Sequence, residues 1–481
     1  MAKYLALCTL SLFLFLSGCS KKDSEPVKTQ TDTPPPVDNT PTFNFTVTVA
    51  AVTDSSAAIT LNTTNAKQSD VLKYAITLNN KTIAENQQGA SYIIKKLTAE
   101  TSYEGKVELK DQHGNVKSQP ISFQTLKYYL KFIKTYDVAP ENQGDSFIQT
   151  PDGGYVISGF ASASYKEGIY GNSYNNEIIT LLRVDKFGNK IWSNSFWYDN
   201  RFSVGHTKYN VVQLADGGFV VNGSSAIVKV DANGHRLWEH YFPRTGLNLL
   251  IRNVSVNKDN TIMVVGYGDA GALIYKFSSD GKLIWENHFF DKDEKTFTSA
   301  TAIAETNDHG FIVIGEYAGT EVIQSYYAKL DDRGNVVWLK RFPITGTCHA
   351  KDVKAGPDGT FTIITDILQS RPRITTITPN GDVLMTADLN ITEYLILTGF
   401  DFTPDGYILS GIYVPPFAGI SNYWMLIKTD KQGKIIWKKR YTEGNCYDVK
   451  YIDEGFVASG SHDGPLDYQI KLMKVDKDGN N

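Results

Sequence analysis

From residue 43 onward, the pattern of apolar and polar residues is that of β-strands. Short segments such as Phe45–Val49 and Leu72–Leu78 alternate between apolar and polar residues, and this period of two predicts half-buried strands. Other runs, such as Phe311–Ile314, are wholly apolar and predict inner strands that are buried on both faces. No helical period accompanies them, so the pattern predicts an all-β chain.

Two motifs recur along residues 128–481. The first is an Asp-Gly or Asp-x-Gly turn followed by an apolar strand, as in Asp152–Gly159, and the second is Lys-x-Asp-x-x-Gly-x-x-x-Trp, as in Lys229–Trp238. The aligned glycines of the second motif are Gly188, Gly234, Gly281, Gly334, Gly381, Gly433 and Gly479. A repeat of this length, built from strands and turns, is typical of a β-propeller with one four-stranded blade per repeat. Seven copies predict seven blades.

One strand lies outside the repeats and is predicted to close the propeller. Tyr129–Tyr136 precedes the first repeat, whereas the seventh repeat reaches Asn481 before its outermost strand. The spacing of Phe132 and Tyr136 matches that of Trp238 and Phe242 in another outer strand. We therefore expect this strand to be the fourth of the last blade, which removes two open sheet edges.

A large aromatic residue occupies one position of most repeats, after the glycine of the second motif. These residues are Trp192, Trp238, Trp285, Trp338 and Trp437. A rigid ring suits the wedge between twisted sheets, so packing between blades is the expected role.

The first 42 residues resemble the export region of bacterial lipoproteins. Lys3 and the apolar Tyr4–Leu16 precede Leu16-Ser17-Gly18-Cys19, which resembles a lipobox. The resemblance implies that residues 1–18 are a signal peptide and that Cys19 is acylated. A spanning helix is the alternative, but the apolar stretch is shorter than the roughly 20 residues that a bilayer requires.

Residues 19–42 are rich in Pro, Ser, Thr and charged side chains and are predicted to form a flexible tether. The charged run Lys21–Glu25 resembles surface-export signals of some diderm lipoproteins. We expect an outer-membrane lipoprotein that is exposed at the cell surface, with a periplasmic orientation left open.

Residues 43–126 contain about seven short strands and predict a β-sandwich. Leu97–Tyr103 resembles the tyrosine corner of fibronectin type III domains, and Ile121–Thr125 resembles their last strand. The resemblance implies a spacer or adhesion module. The segment has no Trp, and Leu61 is expected to take that place in the core.

The repeats also resemble a family of secreted bacterial and archaeal propellers, with Asn422–Asp430 as the best local match. The resemblance implies a surface or secreted protein without a defined reaction.

Charge and motif content exclude several classes of function. The formal net charge is −4, so no basic footprint indicates nucleic acid. The sequence has no Gly-x-Ser-x-Gly, His-Glu-x-x-His or Cys-x-x-Cys motif, and its histidines show no ligand spacing. We therefore predict no enzyme activity, no catalytic residue, no metal site and no cofactor. Cys348 and Cys446 fall in different repeats and are expected to be buried free thiols rather than a disulfide.

Candidate binding residues fall in two groups. Irregular loops opposite the hairpin turns carry aromatic and arginine side chains, which suit a glycan or peptide through stacking and hydrogen bonds; loops packed on one another are the alternative. The residues of this group are Tyr170, Trp197, Arg371, Arg373 and Tyr413.

The second group stands at the starts of the predicted innermost strands, where side chains face the channel. Its members are Asn210, Asn253, Asp352 and Asp448. Two channel carboxylates are able to hold a cation or to act as an acid/base pair, and hydrogen bonding to neighbouring backbone is the alternative role.

The resulting hypothesis is a lipid-anchored surface protein whose propeller loop face binds a glycan polymer or a protein. One alternative is a propeller enzyme, either a quinoprotein-like oxidoreductase or a polysaccharide lyase or hydrolase. The quinoprotein motif Ala-x-Asp-x-x-Thr-Gly-x-x-x-Trp is one residue longer than the motif here and includes a Thr that is missing here. The other alternative is a scaffold of outer-membrane protein insertion.

Overall fold

The computed structural model describes two compact units, Met1–Tyr128 and Tyr129–Asn481, which are treated separately below. Every regular element within the described residues is a β-strand, as the sequence predicts. No helix in the described part of the chain is long and apolar enough to cross a membrane. The described residues are 43–66, 71–138, 142–166, 173–198, 208–242, 249–268, 271–289, 297–318, 322–344, 346–367, 371–417, 419–453, 455–463 and 468–481.

The first unit contains seven strands in two antiparallel sheets, ordered β1-β2-β5 and β4-β3-β6-β7. The strands are β1 (Asn44–Ala50), β2 (Ser56–Thr64), β3 (Lys73–Leu78), β4 (Lys81–Gln87), β5 (Ser91–Lys95), β6 (Ser102–Lys110) and β7 (Val116–Gln124). Alternate residues of both sheets form one apolar core, and Leu61 lies in it with 4% exposure. The Tyr103 hydroxyl accepts a hydrogen bond from the backbone N–H of Thr98 at 2.8 Å. This bond ties the start of β6 to the loop before it, which is the contact that a tyrosine corner makes.

The second unit repeats one four-stranded antiparallel sheet seven times, and we number the sheets in chain order. Sheet one contains β9 (Asn142–Gln149), β10 (Tyr155–Lys166), β11 (Ser173–Val184) and β12 (Lys190–Tyr198). Sheet two contains β13 (Val211–Gln213), β14 (Phe219–Asn222), β15 (Ala226–Val230) and β16 (Arg236–Tyr241). Sheet three contains β17 (Leu250–Val256), β18 (Ile262–Gly268), β19 (Gly271–Phe277) and β20 (Leu283–Phe289). Sheet four contains β21 (Phe297–Glu305), β22 (Phe311–Ala318), β23 (Ile323–Leu330) and β24 (Val336–Arg341).

Sheet five contains β25 (Cys348–Ala355), β26 (Phe361–Ile367), β27 (Arg371–Ile377) and β28 (Val383–Asp388). Sheet six contains β29 (Leu395–Thr403), β30 (Gly406–Tyr413), β31 (Tyr423–Asp430) and β32 (Ile435–Glu443). Sheet seven contains β33 (Asn445–Ile452), β34 (Gly455–Asp463), β35 (Tyr468–Val475) and β8 (Phe132–Tyr136).

The strand before the first repeat pairs where the sequence predicts. β8 lies antiparallel to β35, with Tyr136 opposite Ile470 and Phe132 opposite Lys474. The first strand of each sheet contacts the first strand of the next sheet, and β33 of sheet seven contacts β9 of sheet one. The sheets therefore follow one another in a cycle of contacts.

The core of this unit is divided between the sheets. Seven clusters of buried apolar side chains each bridge two neighbouring sheets. One of them joins Phe147 and Ile157 of sheet one to Ile470 and Leu472 of sheet seven. Because burial of one such side chain contributes about 1.5–3 kcal/mol, the contacts between sheets are a main source of stability.

The aromatic residue that most repeats share packs against the next sheet, as the sequence predicts. The indoles of Trp192, Trp238, Trp285, Trp338 and Trp437 each cover the turn glycine of the following sheet. A Cβ built on Gly334 would lie 2.6 Å from the ring of Trp285, so a larger residue does not fit there. Phe132 of β8 covers Gly188 of sheet one in the same way.

The position of glycine in the inner hairpin turns differs in part from the prediction. In sheets one to five the positive φ belongs to the residue after the Asp, and in sheets three and four this residue is Asn260 (64°) or His309 (63°) rather than glycine. In sheet seven the positive φ belongs to Asp453 itself (52°). Gly310 has no positive φ, but a Cβ on it would lie 2.4 Å from the carbonyl oxygen of Leu330. Close approach of the third strand, and not backbone conformation, therefore requires this glycine.

The basic residue of the second motif forms an ion pair with the Asp of the first motif in six sheets. The pairs are Arg183–Asp152 (2.6 Å), Lys229–Asp216 (2.5 Å), Lys276–Asp259 (3.4 Å), Lys329–Asp308 (2.6 Å), Lys428–Asp405 (2.6 Å) and Lys474–Asp453 (3.4 Å). The basic side chain is nearly buried in most of these pairs, as in Lys329 with 8% exposure. Each pair ties the inner hairpin turn to the third strand.

The predicted state of the two cysteines within the described residues is confirmed. Cys348 and Cys446 are free and buried. Burial raises the pKa of the Cys446 thiol, which keeps it protonated and unreactive.

Candidate functional site

The innermost strands of the second unit surround a polar cavity of about 480 Å³. Its lining comes from β9, β17, β21, β25 and β33 and from residues 208–212 of sheet two. It extends along these strands towards the inner hairpin turns, to Val256, Glu305 and Ala355. The charged side chains of the lining are Lys208, Arg252, Glu305, Lys351, Asp352, Lys354, Asp448 and Lys450.

A β-bulge interrupts the innermost strand of six sheets, and in three of them it directly precedes a predicted channel residue, namely Asn253, Asp352 or Asp448. In sheet five, for example, Ala350 pairs with Thr365 and Asp352 with Ile364, so Lys351 has no partner in the ladder. The bulged residues are Asp145, Arg252, Thr301, Lys351, Thr398 and Tyr447. A bulge redirects a side chain, and Arg252, Thr301 and Lys351 line the cavity from three successive strands.

Asp448 is the most buried carboxylate of the cavity, with 4% exposure. It accepts hydrogen bonds from Ser146 Oγ and the backbone N–H of Val449, both at 3.0 Å. Lys208 Nζ lies 3.6 Å and Lys450 Nζ 4.0 Å from its oxygens. Burial alone would raise the pKa of Asp448, but the lysines and the Ser146 hydrogen bond outweigh it and lower the pKa to about 2. Asp448 is therefore a fixed negative charge.

Asp352 has the opposite electrostatic environment. Burial raises the pKa of its carboxyl, and Lys354 opposes this only in part. Lys354 Nζ donates to the carbonyl oxygen of Phe400 at 2.5 Å and lies 3.3 Å from Asp401 Oδ1. Burial lowers the pKa of Lys354, but Asp401 and Asp352 reverse the effect, so its net shift is upward and it stays charged.

Arg252 is held on two sides. Its guanidinium lies 5.3 Å from the ring centre of Tyr267 and 4.0 Å from Glu316, whose other oxygen is 3.0 Å from His349 Nδ1. Its Nε and the hydroxyl of Thr301 are buried and have no hydrogen-bond partner within the described residues. Two residues that line the cavity thus each have a buried donor without a partner among the described protein groups.

The structure brings the four predicted channel residues together. Asn210, Asn253, Asp352 and Asp448 all line the cavity. The amide of Asn210 also donates to the carbonyl oxygens of Lys208 and Arg252, and Asp352 accepts from the N–H of Val353. Three of the four therefore contact backbone groups, since Asp448 also accepts from the N–H of Val449, and for the two carboxylates this contact was the alternative interpretation.

The predicted loop residues are not part of this cavity where the structure describes them. Arg373 pairs with both oxygens of Asp388, at 2.5 and 3.0 Å. Tyr413 packs beside Tyr423, and the guanidinium of Arg440 lies 5.4 Å from its ring centre.

The remaining predicted residues fall outside what the structure describes. Cys19 and Tyr170 lie beyond the described residues. Trp197 and Arg371 belong to β12 and β27, but their side chains are outside the described set. Ligand binding at the loop face therefore stays a prediction.

The sequence analysis missed most of the basic side chains in the cavity. Lys354 and Lys450 follow Asp352 and Asp448 by two residues and so share their side of the strand. The bulged Arg252 and Lys351 directly precede Asn253 and Asp352, and a regular strand would turn them away from the channel. The recurring sequence Asp-Val-Lys could have indicated Lys354 and Lys450, but nothing comparable indicated Arg252 and Lys351.

The surroundings of the two channel carboxylates do not favour a bound cation. Lysines are their charged neighbours. The described residues contain no group of three or more His, Cys, Asp or Glu side chains placed to hold a metal ion. The arrangement offers hydrogen-bond donors and positive charge instead.

Comparison with known proteins gives structural neighbours of low similarity. No protein-family model matches the chain, and no curated protein matches it. A Bacteroides caccae protein of unknown function is 13% identical, with a TM-score of 0.36, 54% of this chain and 90% of that chain covered. The WD40 domain of Neurospora crassa Pan2 is 9% identical, with a TM-score of 0.40 and coverages of 55% and 87%. The extracellular domain of a one-component system from B. thetaiotaomicron is 10% identical, with a TM-score of 0.44 and coverages of 90% and 58%.

Proposed function

We propose that the chain is a lipid-anchored binding protein of the outer membrane, exposed at the cell surface, whose second unit is a seven-bladed β-propeller that binds a glycan polymer or a protein. The observation that carries the binding role is the solvent-reached polar cavity between the innermost strands. It gathers charged side chains from several sheets in one place, and a few convergent polar groups in a cavity are the usual sign of a binding site.

The propeller assignment rests on the cycle of contacts. Seven four-stranded sheets and seven apolar clusters between them support a ring. In this interpretation β8 closes the ring by completing sheet seven and by covering Gly188 of sheet one. Closure of this kind protects the edges of both sheets.

Residues 43–126 are proposed to be a fibronectin type III-like module that serves as a spacer or adhesion unit. Seven strands in two sheets and the bond between Thr98 and Tyr103 support this assignment.

A glycan-array screen with the full chain in detergent tests the binding role and also distinguishes the two candidate surfaces. Binding through the cavity predicts that Asn253→Ala weakens binding and that Tyr413→Ala does not. Loss only with Tyr413→Ala would assign binding to the loop face. If no glycan binds saturably and no surface protein can be crosslinked to the chain, the proposed function is wrong.

The lipid anchor is tested at Cys19 in cells. Labelled palmitate should enter the wild-type chain and not Cys19→Ser, because the cysteine thiol and the new amino group are the proposed acylation sites. Equal labelling of both proteins would exclude this anchor.

A second candidate function is cleavage of an acidic or neutral polysaccharide. The specific observation is the opposite pKa shift of the two cavity carboxyls, raised in Asp352 and lowered to about 2 in Asp448. Such a division is the one that an acid and a fixed carboxylate need in glycoside hydrolysis. A reducing-end assay that detects activity in the wild type and loss in Asp352→Asn supports this function; no activity on a polysaccharide that binds argues against it.

A further inference from the structure

We propose that the central cavity binds the oxyanion group of an acidic ligand, meaning a carboxylate, sulfate or phosphate. This inference rests on the proposed binding function and names its ligand class. It concerns the bulged middle part of the innermost strands, not the loops between the sheets.

The residues that line the cavity carry more positive than negative charge. Five of them are basic and three are acidic. The acidic groups already have donors: Asp448 has Ser146 and Val449, and Glu305 accepts from the backbone N–H of Lys258 at 2.8 Å. The basic groups differ in how far their charge is compensated: Lys208, Arg252, Lys354 and Lys450 each have a carboxylate within 4.0 Å, whereas Lys351 has no ion pair within the described residues.

The β-bulges place three hydrogen-bond donors in the lining of the cavity. Arg252, Thr301 and Lys351 are the bulged residues of three neighbouring strands, and all three line the cavity. Glu316 and Tyr267 fix the guanidinium of Arg252 while its Nε has no described partner. All three side chains are hydrogen-bond donors on the innermost strands of successive sheets, and hydrogen bonds from charged donors to an oxyanion are the strong ones.

The volume of the cavity suits a small ligand. The cavity of about 480 Å³ lies within the range of roughly 300–1,000 Å³ that small-ligand sites occupy. It accommodates one or two sugar units or a small organic acid. An acidic sugar at the end of a polymer and a free organic acid present the same group, so the experiment must separate these sources.

Isothermal titration calorimetry of the full chain in detergent tests the proposal. The probes are sodium sulfate, inorganic phosphate, D-glucuronate, a tetramer of galacturonate and the neutral maltotetraose. We expect at least one anionic probe to bind saturably, with affinity that falls as salt rises, and maltotetraose to bind more weakly. Binding of glucuronate alone indicates a free-acid source, and binding only of the tetramer indicates an acidic polymer.

Variants connect the binding to the cavity. Arg252→Gln and Lys351→Gln should each weaken the anionic probe about tenfold to a hundredfold, the loss expected for one charged hydrogen bond. Lys282→Gln is the matched control, because its side chain is 82% exposed on an outer turn. Thr301→Val keeps the side-chain shape and tests the same site if either charged variant fails to fold.

The results that would contradict the oxyanion site differ from those that would contradict the binding function. Unchanged binding in Arg252→Gln, Lys351→Gln and Thr301→Val, or no saturable binding of any anionic probe, overturns the oxyanion site. If maltotetraose or another neutral glycan binds under the same conditions, the binding function stands and only its ligand class is wrong.

Discussion

At the scale of single residues, the charged residues that recur in the two motifs bind each other and stabilise the inner hairpin turns. The Lys or Arg of the second motif is nearly buried and reaches back to the Asp of the first motif. Sheet five shows the alternative, because Thr376 takes the basic position and its hydroxyl lies near those of Thr362 and Tyr407. The pattern of the sequence contains both partners, but it does not show that residues in separate motifs meet.

Removing the acidic partner of one ion pair should show how much the pair contributes to the free energy of unfolding. Asp308→Ala leaves the buried ammonium of Lys329 with the Thr306 hydroxyl as its remaining partner among the described side chains, so we expect a loss of about 1–3 kcal/mol in the free energy of unfolding. Asp280→Ala is the control, since both Asp280 and Lys282 are exposed, and its effect should be small. Urea unfolding measures both; equal losses would show that the buried pair adds nothing.

The turn glycines give a prediction with a built-in comparison. Gly334 (φ 83°) and Gly217 (φ 81°) have the same backbone conformation, but only Gly334 is covered by an indole. Gly217→Ala should cost about 1–2 kcal/mol for the left-handed conformation. Gly334→Ala should cost a further 1–3 kcal/mol or so because its Cβ overlaps Trp285. Denaturant midpoints compare the two, and a similar loss in both would contradict the packing role of the tryptophan.

At the scale of elements, strand existence followed from the sequence and strand irregularity did not. The alternation of apolar and polar residues predicts the strands of both units, and the unpaired strand before the first repeat predicts the partner of β35. A bulge adds a single residue to one strand, which leaves the apolar pattern of a short strand almost unchanged. A regular strand would therefore turn Arg252 and Lys351 away from the channel, and the sequence did not indicate them, whereas it indicated Asp352 and Asp448 as cavity residues.

The pairing of β8 with β35 predicts a working permutant. Phe132 pairs with Lys474 as Trp338 pairs with Lys329, and Trp338 follows the turn glycine Gly334 by four positions. The equivalent position after Gly479 is the second residue beyond Asn481. If residues 131–138 are joined directly after Asn481, Phe132 occupies that position, so the strand should continue without a linker.

This permutant should melt close to the parent protein, whereas deletion of residues 131–138 without the transfer should abolish cooperative melting. Circular dichroism in a thermal scan measures both. A deletion variant that melts like the parent, or a permutant no more stable than the deletion, would show that β8 does not complete the sheet.

At the scale of the whole molecule, the repeated ion pairs link stability to pH. The Lys329 hydrogen bond lowers the pKa of Asp308 to about 2, and the Thr150 hydrogen bond, with Arg183, does the same for Asp152. Both values lie below the ordinary 3.8, so the folded chain binds protons less readily than the unfolded chain. Their contribution is complete above the unfolded pKa and is lost as the pH falls through the folded pKa.

We therefore expect the urea midpoint to stay level from neutral pH down to about pH 5 and to decrease steeply between pH 4 and pH 2, roughly the window between unfolded and folded pKa values. Asp308→Asn should reduce this decrease, since it removes one of the linked carboxyls. A midpoint that is independent of pH down to pH 2 would contradict the linkage.

The partnership between β8 and β35 also has a consequence in time. Tyr136 and Ile470 are opposite each other but 334 positions apart in the chain (470 minus 136). A ribosome that adds about 5–20 residues per second makes β35 roughly 20–70 s after β8. During that interval β8 has unpaired backbone groups and exposed apolar side chains, because β35 has not yet been made. Phe132 of β8 is also not yet held over Gly188 of sheet one. The nascent protein is thus most in need of a chaperone during the period in which six of its seven sheets can already form.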